Sequence, residues 1–126
     1  AAIGSPAYPT PDKQLRENIA RAIRRNVTGA GVARQMVAVT AAGDLSPRLR
    51  RIRVPTLVIH GAADPLVPAA CGIDVARQVP GARLEVIEGM GHDLPDQLIE
   101  RLLALIDAHA HGKMEADPTP RLFEKQ

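Results

Sequence analysis

Aromatic side chains are almost missing from this chain of 126 residues: Tyr8 and Phe123 are the only two, and tryptophan is absent. A core must therefore be filled by Leu, Ile, Val, Ala and Met, which bury less area per residue than rings do. Cysteine is nearly as scarce. The single Cys71 excludes an intrachain disulfide framework, and its setting in a helical pattern reads as a small apolar residue rather than a reactive thiol. No apolar run approaches the ~20 residues needed to cross a bilayer, and no signal-peptide pattern is present, so a soluble, cytoplasmic chain with no membrane partner is expected. There is no Cys/His cluster, phosphate-binding loop or dinucleotide fingerprint, so neither a metal nor a cofactor is implied.

Charge excludes little and favours less. The 16 Lys and Arg residues nearly balance the 14 Asp and Glu, leaving a net charge of +2. The arginines are spread along the chain with no aromatic interleaving, so nucleic-acid binding is not supported. The richest basic run, Arg48-Leu49-Arg50-Arg51-Ile52-Arg53, reads as a solvated helix face. With 45% of residues hydrophobic, the chain has enough apolar content for a folded core.

The pattern along the chain divides it into four parts. Residues 1–11 hold three prolines and read as an extended N-terminal arm, poorly anchored. Within 12–46, Leu15, Ile19, Ala22 and Ile23 recur at helical spacing from Asp12 to Arg25, and a second helix from about Ala30 to Ala42 turns Val32, Met36, Val39 and Val37 inward before a stop at Gly43. Within 47–112, Ser46 is expected to cap a short helix from Pro47 to Ile52. The continuous apolar run Thr56-Leu57-Val58-Ile59 predicts a strand buried on both faces, a helix follows over 69–78, and Arg83 to Ile87 predicts a second, parallel strand. A last helix from about Pro95 to Ala110 presents Leu98, Ile99, Leu102, Leu103 and Ile106 to the sheet. Residues 113–126 read as a polar tail. Two parallel strands do not make a covered sheet, so the missing strands are expected from an upstream part of the polypeptide or from another copy in a homo-oligomer.

Two loops carry chemistry. Each predicted strand ends in one: His60-Gly61-Ala62-Ala63-Asp64-Pro65-Leu66-Val67-Pro68 after the first, and Gly89-Met90-Gly91-His92 after the second. Taken alone, Asp64-Pro65 is a common turn opener and Gly91-His92 carries little information. Their joint occurrence, in order, each behind an apolar strand, resembles the final third of the α/β-hydrolase family. There a loop of pattern H-G-x-x-D-x-x-V-P bears the triad carboxylate and a later G-x-G-H loop the triad histidine. The resemblance implies that Asp64 is the acid and His92 the base of an acyl-transfer triad. It implies a structural role for His60 at the strand end, while Asp93 is expected to cap the following turn. His109 and His111 are two apart, a spacing that does not share a helix face, and read as helix-end charge partners rather than metal ligands.

The helices of residues 12–42 are similar in order to the closing half of the family's helical cap. Arg34-Gln35 together with Gly43-Asp44-Leu45-Ser46-Pro47-Arg48-Leu49 is similar to esterases of the aclacinomycin methylesterase type. In such caps Met36 and Val67 would line an acyl pocket; ordinary core packing is the simpler reading of both. The departure from the family is equally plain. No Gly-x-Ser-x-Gly elbow occurs, and Ser5 and Ser46 lie in proline turns unsuited to a nucleophile. The expectation is thus an α/β fold with an incomplete sheet: the C-terminal fragment of a serine ester hydrolase, inactive alone, whose complete form takes a small-molecule ester. Two alternatives stand beside it, a non-catalytic oligomerising module and the same fold with the aspartate nucleophile of dehalogenases and epoxide hydrolases.

Overall fold

A computed structural model describes residues 3–25 and 29–112; the expected tail over 113–126 lies outside the described residues. In chain order the elements are α1 (Asp12–Arg24), α2 (Gly29–Ala42), α3 (Ser46–Leu49), β1 (Leu57–Gly61), α4 (Ala69–Gln78), β2 (Arg83–Ile87), a 3-10 turn at Asp96–Leu98, and α5 (Ile99–Ala110).

The centre is a strand, helix, strand unit. β1 and β2 pair in parallel from Leu57 opposite Arg83 to Gly61 opposite Ile87, so both strands end at one level. The two site loops therefore leave the sheet side by side. α4 packs on both strands. It starts after Pro68, whose fixed φ suits the residue before a helix, and closes at Pro80-Gly81, where Gly81 takes a φ of 71° that favours glycine. Its Gly72 lets α4 approach the sheet: a Cβ there would stand 2.6 Å from Cδ2 of His60. α3 is held to the end of α4 through Gln78, which donates to Ser46 Oγ at 2.8 Å and accepts from Arg50 Nε at 3.0 Å. Ser46 is thereby the first helical residue and not the cap, which falls to Leu45. The loop before it is closed by Asp44, whose Oδ1 accepts the Ser46 N–H. The Ser46 hydroxyl and, after it, this N–H hold the Asp44 carboxyl below its ordinary range.

The core is small. Ile87, Met90, Leu98 and Leu102 form its main cluster, with Tyr8 and Ile59 packed against them, and Val79 is buried at the end of α4. Both strands are half-buried except at Gly61 and Ile87, which departs from the expected burial on two faces. Of the five residues expected to face the sheet, Leu98 in the 3-10 turn and Leu102 in α5 are buried, whereas Ile99, Leu103 and Ile106 are 43%, 60% and 53% exposed. The helical segment departs further. Neither α1 nor α2 has a buried residue, and Val32, Met36, Val37 and Val39 all face outward. Spacing set the helices, but Ile19 and Ile23 of α1 stay exposed as well.

The N-terminal arm reverses the expectation of poor anchoring. Ser5 is buried, Tyr8 reaches the core, and the Ala7 N–H donates to the Gly89 carbonyl at 3.2 Å. Contacts made 80 or more residues away in sequence are invisible to local composition. No helix among the described residues is long and apolar enough to cross a membrane.

Candidate active site

Glycine at position 61 fixes how closely the two loops approach. A Cβ there would overlap the backbone carbonyls of Met90 and Gly91. Without it, the Ala62 N–H donates to Ile87 O and the Ala63 N–H to Met90 O, both at 2.9 Å. The first bond ties the loop bearing Asp64 to the end of β2 and the second ties it to the loop bearing His92.

The Asp64 carboxylate is divided between two tasks. Its Oδ1 accepts the N–H groups of Leu66 at 2.8 Å and Val67 at 2.9 Å, a side-chain turn that satisfies the loop and orients the carboxylate. Its Oδ2 lies 2.8 Å from Nδ1 of His92. Desolvation is the largest single influence on Asp64 and acts to raise its pKa. The Val67 N–H, the bond to His92, the Leu66 N–H and the attraction of His92 together outweigh it and bring the value down to about 2. An ionised carboxylate only accepts hydrogen bonds, so Nδ1 carries the ring proton and a neutral ring leaves Nε2 as the unprotonated nitrogen. The Asp64 side chain is 5% exposed and that of His92 is 39% exposed. The acid is shielded and the base is open. Such a pair has the geometry to act as a general base with an orienting acid behind it.

The other residues singled out by sequence have settings of their own. Val67 belongs to the Asp64 turn through its N–H, while Met36 stands 59% exposed on α2. His60 Nδ1 lies 3.0 Å from the Gly61 carbonyl oxygen, with its ring against Gly72. His111 closes on Asp107 four residues earlier, in the helix-end role its position suggested. Asp93 is not a cap for the turn after it: its Oδ1 accepts the Ser5 N–H at 2.8 Å and the Ser5 hydroxyl at 2.5 Å. The hydroxyl of Ser5 in turn accepts the Gly91 N–H at 2.8 Å. Sequence reasoning discarded Ser5 as a nucleophile and found no other use for it, because the signal is a contact across the chain rather than a motif. An open polar groove of about 590 Å³ beside α1, lined by Pro11, Gln14, Glu17, Arg21 and Asp96 among others, includes neither Asp64 nor His92. Among the described residues no group of three or more His, Cys, Asp or Glu side chains is arranged to hold a metal ion.

Residues 8–97 match the family model described as serine aminopeptidase, S33. The chain is 43% identical over 64 residues to rhodomycin D methylesterase DnrP of Streptomyces peucetius, a match covering 51% of this chain and 22% of that protein. It is 44% identical over 64 residues to rhodomycin D methylesterase DauP of Streptomyces sp. (strain C5), with the same shares covered. A non-heme haloperoxidase of Rhodococcus erythropolis is 36% identical over 73 residues, 56% of this chain and 27% of that protein. The matched stretch spans about a quarter or less of the length of each of these relatives.

Proposed function

Since the chain belongs to the α/β-hydrolase family described as serine aminopeptidase, S33, we propose that it supplies the acid and base of a serine ester hydrolase whose nucleophile and oxyanion hole lie outside these 126 residues. The observation that carries this reading is the 2.8 Å bond from His92 Nδ1 to Asp64 Oδ2, backed by an acid whose other oxygen is fixed by two backbone amides. In the reaction, Nε2 of His92 would take the proton of a serine hydroxyl as its oxygen attacks the ester carbonyl. Ionised Asp64 would stabilise the resulting imidazolium, which then protonates the departing alkoxide. Water attacks the acyl-enzyme by the same route and frees the serine. The methylesterase relatives favour a small-molecule carboxylic ester as substrate.

A second reading, a self-associating module without catalysis, is favoured by the open edges of a two-stranded sheet. One experiment separates the two. The chain is produced alone and together with the product of the coding sequence upstream of it, and each preparation is assayed on short-chain nitrophenyl esters and weighed by light scattering. Hydrolysis in the combined protein, lowered by about four orders of magnitude in Asp64→Asn, is the expected result. Full hydrolysis by the 126-residue chain alone would sink the proposal. A homo-oligomer that stays inert when combined would establish the module instead.

A further inference from the structure

We propose that Ser5 and Asp93 form a positioning pair that holds the loop of His92 in the register where the ring meets Asp64. The inference rests on the proposed role of His92 as base and names residues that act on it without touching substrate.

Ser5 is 4% exposed, so its hydroxyl and amide are costly to bury unless both are bonded. Both are bonded, and to the same loop. The Ser5 amide and hydroxyl each donate to Oδ1 of Asp93, 88 residues away, and the hydroxyl oxygen accepts the Gly91 N–H. One residue earlier in the loop than Asp93, the His92 N–H donates to the carbonyl of Ile3 at 2.9 Å. The arm therefore holds the backbone N–H groups of Gly91 and His92 and, one residue past His92, the side chain of Asp93, while the His92 ring is held by Asp64 on the other loop.

The fit is close enough to exclude alternatives at two positions. A Cβ on Gly91 would stand 2.6 Å from the Gly4 carbonyl carbon, and one on Gly89, already at a φ of 69°, would overlap the Cβ of Ala7. Loop 89–93 thus lies between the arm on one side and the Gly61 turn on the other, where Ala63 donates to the Met90 carbonyl. Cohesion of the arm is already supplied by Tyr8 in the apolar cluster. What the Ser5 and Asp93 bridge adds is direction, because hydrogen bonds weaken steeply away from linearity whereas apolar packing is indifferent to it.

The test reads the His92 ring in the intact 126-residue chain by NMR, so it does not depend on esterase turnover. In the parent chain the Nδ1 proton, shared with a carboxylate, should be visible downfield of the amides. Ser5→Ala and Asp93→Ala should each lose that signal to exchange and lower the protection of the Gly91 and His92 amides about tenfold or more, with the β1 and β2 amides still protected. Asp93→Asn retains an acceptor oxygen for Ser5 and should keep the signal. An unchanged ring signal in both alanine variants would overturn the proposal. So would loss of β1 and β2 protection in both, since the arm would then be a general element of the fold. Failure of the ester-hydrolase reading would show instead as unchanged turnover in the combined protein carrying His92→Ala, whatever the NMR result.

Discussion

The stretch from β1 to the 3-10 turn and the pair α1 and α2 are built from similar apolar residues, yet they end in opposite states. In the first, Ile87, Met90 and Leu98 are buried and two loops are stitched together by backbone and side-chain hydrogen bonds. In the second, no residue of either helix is buried, and Met36 and Val37 are 59% and 68% exposed. Periodicity makes a helix in both regions. Only partners distant in sequence make a site. The candidate acid and base therefore stand in the part of the molecule held together from within, and not in the helices whose apolar residues are mostly exposed.

The contrast is strongest at Gly61. Gly61→Ala forces the Met90 and Gly91 carbonyls aside, and is expected to destabilise the chain by about 3 kcal/mol, as overpacking in a tight interior does. Urea unfolding of the two proteins measures it; a cost under about 0.5 kcal/mol would show that the loops are not pressed together. Acidification acts on the same region more locally. The Asp64 pKa is lowered from 3.8 to about 2, so its contribution to stability is fully present above the unfolded value and is lost as pH falls through the folded one. The Leu66 and Val67 amides, which donate to Asp64, should lose exchange protection between pH 4 and pH 2, and a flat profile across that window would contradict the two-amide turn. Smallest of all is the expected effect in α2: Met36→Ser should shift the stability of this chain by no more than about 0.5 kcal/mol, as exposed substitutions do. A larger loss would break the comparison. A cost that appears only in the combined protein would sharpen it, by showing that another part of that protein covers α2.

How much of this was legible in the sequence follows the same division. The spans of α4 and β2 agree with the sequence reading because punctuation was unambiguous, with Pro68 before the helix, Pro80-Gly81 after it, and a short apolar run next. The spacing of Asp64 and His92 behind their strands was equally readable, and parallel pairing in register is what brings the two loops together. Illegible were the facts that depend on distant partners. Ser5 looked like a residue of a loose proline arm, and Asp93 like a local cap, until the fold joined them. The inward face assigned to α2 failed for a related reason: a 3.6-residue period identifies which side is apolar, not whether anything lies against it.

The two oxygens of Asp64 have separate obligations, one to the Leu66 and Val67 amides and one to the imidazole. The two sets of bonds use different oxygens, so loss of the second would leave the first to hold the carboxylate in its bearing. The turn works as a stored address for the histidine, written before any reaction partner arrives. Under the proposed function, completing the catalyst would be a delivery problem: a reactive oxygen and its oxyanion donors would be brought to a landmark already in place.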